Sequence, residues 1–287
     1  MTPAEARQFI ADVQAERGVK PDSTPVTGVD QVLTILQNDE IGRFENAARI
    51  VAGKPGIDAQ AVYATIELSW SDGYSTIARI AEELGKRAQI EADRLRGMRE
   101  SGRELVEAEA KALERAQQNI AFFAKARDAL DVLAVDHLRS TVSLVNELLR
   151  QHPQDPRTYR IAAFYYLLSG DWQHYDTAVT WLKESEATDA GVQYLRALEA
   201  WKRNAMRQEA DAFLKEALRL DPKMVRAQAK LVLTQESIDA RYAELQALKT
   251  LAPSHPIVNI AGPAITDEYE VSAAIRKAQG QSPAAQP

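Results

Sequence analysis

Two stretches decide the fold: YRIAAFYYLLSG at 159–170 and YLRALEAWKRNA at 194–205. Tyr159 and Tyr194 are 35 positions apart, and so are Tyr166 and Trp201, with Ala162 answering Ala197 and Gly170 answering Ala205. The second stretch runs on into EADAFLKEALRLDP at 209–222, where Ala210, Leu214 and Ala217 precede Pro222. A bulky ring on one helix needs small residues on its neighbour to close against, and Ala163, Ala197, Ala210 and Ala217 supply them. Proline then stops the second helix and turns the chain into the next pair. This is the period of a repeated helix pair, each pair burying its apolar face on the next.

Outward from this region the chain is helical in character throughout. Gly and Pro are sparse, 13 and 12 in 287 residues, and fall at intervals between Ala-, Leu-, Glu- and Arg-rich stretches. Thr2, Pro3 and Glu5 form a capping box for a first helix that should stop near Gly18. A linker at 19–28, carrying Pro21, Pro25 and Gly28, precedes helices expected at 29–37 and 41–52. From Ser75 to about Leu133, Ile77, Ala81, Leu84, Ala88, Leu95 and Met98 recur in three- and four-residue steps, the seam of a long helical pair. Gly97 and Gly102 interrupt it, and Ser101 with Glu104 reads as a second capping box, so a hairpin turning near 97–102 is expected. One uninterrupted helix is the alternative, since a glycine in a helix interior costs only about 1 kcal/mol. The tail from Gln279 carries too little apolar surface to order itself.

Composition narrows the function. A net charge of −6 opposes broad attraction to nucleic acid or an anionic membrane. The absence of cysteine removes disulfides and thiol chemistry. No run approaches the ~18 apolar residues of a membrane span, and the start Met1-Thr2-Pro3 is unlike a signal peptide. A cytoplasmic protein is the expectation, or a periplasmic one if a leader precedes Met1. Of four histidines, His137, His152, His174 and His255, none lies three or four residues from another, so no helical metal pair is written in the chain. His174-Tyr175-Asp176 falls in an expected turn, where polar residues are ordinary, and Gly53-Lys54-Pro55-Gly56 lacks the spacing of a phosphate loop. Arg94, Arg96, Arg99 and Arg103 cluster near the hairpin turn, but Asp93, Glu100 and Glu104 interleave with them, as in salt bridges on a solvated helix. No enzyme, cofactor or metal site is expected.

The region 154–222, with its Ala-Leu-Arg-Leu-Asp-Pro ending at 217–222, resembles the tetratricopeptide repeat family, and the resemblance continues more weakly over 223–256, where Gln228 and Gln235 stand at usually apolar positions. A degenerate unit is expected at 122–153, and a fainter echo runs from Phe44 to Ile80. After Gly170 the match slips, as though Trp172–Ala178 lengthened the turn or shifted the second helix by a few residues. The resemblance implies an all-α solenoid of helical hairpins, divided as 1–74 (helical region), 75–134 (long hairpin), 122–256 (repeats) and 257–287 (helix and tail). It also implies a non-enzymatic scaffold that grips a peptide or helix of a partner protein in a groove. Carried over by position, the groove comprises Arg157, Arg160, Phe164, Leu167, Leu168, Leu195, Glu199, Lys202, Arg203, Arg226, Ala229 and Leu233. Arginines beside apolar patches suit an acidic segment with apolar anchors. Ile161 and Arg196 replace the asparagine with which some members hold a carboxyl terminus, which argues against that ligand. The alternative is a structural subunit that forms homo-oligomers, or joins a larger envelope or secretion assembly, through the long hairpin.

Overall fold

The computed structural model describes residues 1–19, 25–27, 29–37, 43–52, 54, 56–182 and 189–278, and these form an all-helical fold. Most of the expected linker at 19–28, the start of the helix expected at 41–52, and the tail from Gln279 lie outside the described residues. No helix among those described is long and apolar enough to cross a membrane.

Helix α1 (Pro3–Glu16) begins with the capping box: the Thr2 hydroxyl accepts from the Glu5 N–H at 3.3 Å and the Thr2 N–H donates to the Glu5 carboxylate at 2.7 Å. Helices α2 (Val29–Gln37) and α3 (Phe44–Val51) follow. Then come α4 (Ile57–Glu100) and α5 (Glu107–Gln151), each about 65 Å long at 1.5 Å per residue. They pair as one antiparallel hairpin whose turn uses Gly102 at φ +83, a conformation that a side chain would strain.

This hairpin is longer than the seam at 75–134. Ala61, Ala64 and Leu68 carry the apolar stripe of α4 further toward its start. Across 107–151 neither Gly nor Pro occurs, so the degenerate unit expected at 122–153 is simply the second half of α5. Ser101 closes α4, its hydroxyl donating to the Met98 carbonyl at 2.7 Å, and does not cap α5; Glu109 does that work, accepting from the Val106 N–H at 3.2 Å.

Three consecutive helix pairs follow: α6 (Pro156–Ser169) with α7 (Trp172–Thr180), α8 (Ala190–Lys202) with α9 (Arg207–Leu220), and α10 (Val225–Thr234) with α11 (Ile238–Leu251). Asp155 caps α6, and Gly170 ends it at φ +75. Helix α7 starts two residues later, so the turn is not lengthened; the second helix is short, with 9 residues against 14 in α9. His174 therefore sits in the first turn of a helix and not in a loop. Ala163, Ala197, Ala210 and Ala217 are buried as expected. Tyr166 and Trp201 are not slotted into the core: they lie half-buried against the next helix, Tyr166 stacked on His174 and Trp201 under the Arg207 guanidinium. The buried tyrosines are Tyr175 and Tyr194. Short α12 (Pro256–Ile260) and α13 (Gly262–Ala278) close the chain against α11.

Helix α4 contributes to each of four apolar clusters. Ile77, Ile80 and Leu84 join Leu130, Val232 and Ile257, while Leu68 joins Leu148, Leu167 and Leu198. Ile66 joins Phe44 and Ile35 from α3 and α2, and Ala92 with Leu95 meets Leu113 and Ala116 near the hairpin turn. At roughly 1.5–3 kcal/mol per buried large side chain, α4 is the organising element of the fold.

Candidate interaction surfaces

The face expected to form a groove is already occupied by α4. Helices α6 and α10 both pack on it. Phe164, Leu167 and Leu195 share a core with Ala61, Ala64 and Leu68 of α4, and Ala229 and Leu233 share one with Ile77, Ala81 and Leu84. Phe164 is 6% exposed, Leu195 5% and Leu233 1%, so these residues are core and offer no surface to a partner. Leu168 is half-buried against the same cluster. The groove reading of these positions is corrected for a physical reason: an apolar stripe that seeks burial is satisfied within the chain.

The polar positions are committed as well. Arg157 bridges Asp155 at 2.7 Å and also pairs with Asp58 of α4, which together hold its guanidinium well above the ordinary arginine range. Arg160 holds Asp189 at 2.5 Å, and Arg203 holds Asp176 at 2.6 Å and Glu199 at 3.1 Å. Glu199 also accepts from the Tyr175 hydroxyl at 3.1 Å. Arg226 donates to the Leu36 carbonyl at 3.1 Å and lies over the Tyr194 ring. Gln228 and Gln235, which stand where apolar residues were expected, donate to the carboxylates of Glu244 and Asp211.

At the centre of this contact sits a buried polar knot that sequence reasoning missed. Asp72 of α4 accepts from the Lys230 ammonium at 2.9 Å and from the Tyr194 hydroxyl, and Lys230 also donates to the Thr76 hydroxyl. Asp72 and Lys230 are each 3% exposed. Burial alone would push the Asp72 carboxyl up; the nearby Lys230 and Lys202 charges and the hydrogen bonds from Tyr194 and Lys230 outweigh it and hold the pKa below the usual aspartate value. The available signal was one charged residue on an otherwise apolar helical face, as Lys230 is within AQAKLVLT at 227–234.

Lys202, placed in the groove by sequence, instead lies beside this knot. Burial pulls its ammonium down to about 8, against a partial restoring effect of Asp72. Its folded pKa is thus below the unfolded value of 10.5, so its cost to stability is full below pH 8 and is relieved as pH rises toward 10.5. Lys202→Met is expected to stabilise the protein by about 1–2 kcal/mol at pH 7, with the gain shrinking by pH 10. Thermal unfolding at the two pH values checks this; an equal gain at both would show that the charge is not its source.

Chemistry elsewhere is sparse. Glu67 accepts from the Ser140 hydroxyl at 2.8 Å and lies 2.8 Å from His137 Nδ1, with His137 stacked on Trp70. The hydroxyl binds the carboxylate and not the imidazole, which is not the order of a nucleophile, its base and an orienting group. His174 pairs with Asp171 at 2.8 Å, and His255 caps α12 by accepting from the Ile257 N–H. Ser69, Asp72, Tyr194, Arg226 and His255 surround a space of about 10 Å³, which fits no more than a water-sized group. Among the described residues no three His, Asp or Glu side chains converge on a common metal position.

The turn end of the α4–α5 hairpin differs from these buried surfaces. Arg87–Glu268 and Arg115–Asp267 (3.9 Å) link the hairpin to α13. Beyond them the core of Ala92, Leu95, Leu113 and Ala116 draws its other apolar contacts, Met98, Leu105, Ala112 and Ile120, from the hairpin itself. Most charges here are paired: Arg94 with Glu91, Arg96 with Asp93, Arg103 with Glu109 and Lys111 with Glu107. An open groove of about 430 Å³ is lined by Arg99, Glu104 and Glu114 together with Leu105, Ala110 and Leu113. No family model, curated protein or solved structure matches the chain.

Proposed function

We propose that the chain is a non-enzymatic protein–protein interaction scaffold in which α6–α11, tetratricopeptide-like pairs, cradle the chain's own α4 and so brace a helical hairpin that is presented to a partner. The observation that carries this reading is the occupancy of the inner face: its apolar residues are buried with α4, and Arg157, Arg160 and Arg203 already hold carboxylates of the same chain. A peptide entering there must displace a 44-residue helix that contributes to every apolar cluster. The hairpin turn carries no such burden, and the braced helices hold it in one orientation, which lowers the ordering cost of binding.

A photo-crosslinking residue at Ala110, beside the turn, is expected to capture a protein in cells of the native source, whereas the same residue at Arg203 or Leu168 is expected to capture none. Adducts from Arg203 or Leu168 with none from Ala110 would return the function to the array and sink this reading.

A further inference from the structure

We infer that Lys202 is a modification site: its ε-amine takes small activated acyl groups of the acyl phosphate class, and the neutral amide so formed stabilises the fold. Lys202 is the last residue of α8 and lies partly buried beside the Asp72–Lys230 pair, so it keeps an opening to solvent that Lys230, 3% exposed, lacks. The carboxylates that could neutralise it are engaged elsewhere. Asp72 gives one oxygen to Lys230 and the other to the Tyr194 hydroxyl. Glu199, one helical turn back on α8, gives one oxygen to Arg203 at 3.1 Å and the other to the Tyr175 hydroxyl at 3.1 Å. Among the described residues the Lys202 ammonium forms no ion pair or hydrogen bond of its own.

The charge balance singles out this amine. Asp72 and Lys230 cancel as a pair at 2.9 Å, and Arg79 is matched by Glu82 at 2.9 Å. The Lys202 ammonium is therefore the surplus charge of the cluster. Burial first, and then repulsion from Lys230 and Arg79, outweigh the attraction of Asp72 and pull it down to about 8. About a tenth of it is then neutral, nucleophilic amine at pH 7, against about 0.03% for an unperturbed lysine. Lower basicity also lowers nucleophilicity, which leaves Lys202 an advantage of about tenfold. The step is an acyl transfer: the lone pair of neutral Nζ attacks the acyl carbon, a C–N bond forms, the C–O bond to phosphate breaks, inorganic phosphate leaves, and the amine gives one proton to water. The amide carries no charge, so the burial cost and the repulsion from Lys230 and Arg79 both vanish while the Asp72–Lys230 pair is untouched. Acylation of Lys230 does the opposite, because it strands the Asp72 carboxylate.

The test treats the folded full chain with acetyl phosphate at pH 7 and pH 10 and reads the acetylation of each lysine by peptide mass spectrometry at low conversion. At pH 7 Lys202 is expected to react about tenfold faster than the exposed Lys215, Lys223 and Lys249. By pH 10, where ordinary lysines also lose their proton, that advantage is expected to vanish. In concentrated urea it is expected to vanish at pH 7 as well, because the low basicity belongs to the fold and not to the local sequence. Stability gives a second readout. Lys202→Gln, which copies the neutral amide, is expected to raise the thermal unfolding temperature at pH 7 by about 2–4 °C, whereas Lys230→Gln lowers it. A Lys202 no more reactive at pH 7 than the exposed lysines overturns the inference. So does an advantage that persists at pH 10 or in urea, and so does a Lys202→Gln variant less stable than the parent.

Discussion

Lys230→Met is expected to lower the free energy of unfolding by about 3–5 kcal/mol, the largest effect of any single change proposed for this chain. The ammonium is 2.9 Å from Asp72, and both residues are almost fully removed from solvent. Deleting it leaves a buried carboxylate whose remaining support is the Tyr194 hydroxyl and the more distant Lys202 charge. Replacing both partners, as in Asp72→Leu with Lys230→Met, is expected to recover more than half of the loss, because no uncompensated charge then remains and the Tyr194 hydroxyl loses only its bond to Asp72. Urea unfolding followed by circular dichroism gives both values; a double variant no better than the single one would mean that packing, not charge, is responsible. The pH dependence has a definite sign. With its folded pKa held below the ordinary value, Asp72 stabilises the protein above about pH 4 and ceases to do so as pH falls through the folded pKa. Without Lys230 the burial effect prevails, so the variant is expected to unfold at a higher pH than the parent on acidification.

Glu83→Ala is expected to cost about 3 kcal/mol, again through a cation left behind. Glu83 of α4 joins two helix pairs, accepting from Arg207 at 2.9 Å and from Arg241 at 2.6 Å. Arg241 is 1% exposed, and its guanidinium makes one other hydrogen bond among the described residues, to the Gln235 carbonyl at 2.8 Å, with Nε and Nη1 unpartnered. Removing the carboxylate therefore strands a buried guanidinium. Arg241→Met, which fills much of the same volume without the charge, should cost less than Glu83→Ala. Thermal unfolding of the two variants compares them directly, and a larger loss for Arg241→Met would show that the arginine contributes mainly by packing.

These two sites share a design that explains why the interior contact was hard to read in advance. Asp72, Thr76 and Glu83 lie on α4 at steps of four and seven, one polar stripe that meets Tyr194, Lys230, Arg207 and Arg241 from four different helices. Within the sequence this stripe looks like the solvated side of an amphipathic helix. Its partners are 120 or more positions away, and no local spacing links them.

Local signals, by contrast, are legible in the sequence because their causes are local. The Thr2–Glu5 box and the hairpin turn near Gly102 each depend on a few neighbouring residues. Ala163, Ala197, Ala210 and Ala217 are buried because helical period alone selects the face that leaves water. Tyr166 and Trp201 escape such a reading for a related reason: period identifies the end of the helix they occupy, but a half-buried ring is equally content on His174 or Arg207 as on an alanine.

The amino-acid sequence by itself determined that this chain is helical, where many of its helices begin and end, that a long hairpin turns near residue 100, and which alanines lie inside. Tertiary structure alone decided what covers the inner face of α6, α8 and α10. Hydrophobic burial is non-directional, so Phe164, Leu195 and Leu233 carry the same drive to leave water whether the covering helix comes from another protein or from residues 57–100 of the same chain. Only the three-dimensional path of α4, drawn along that face by Asp72 and Glu83, distinguishes the two.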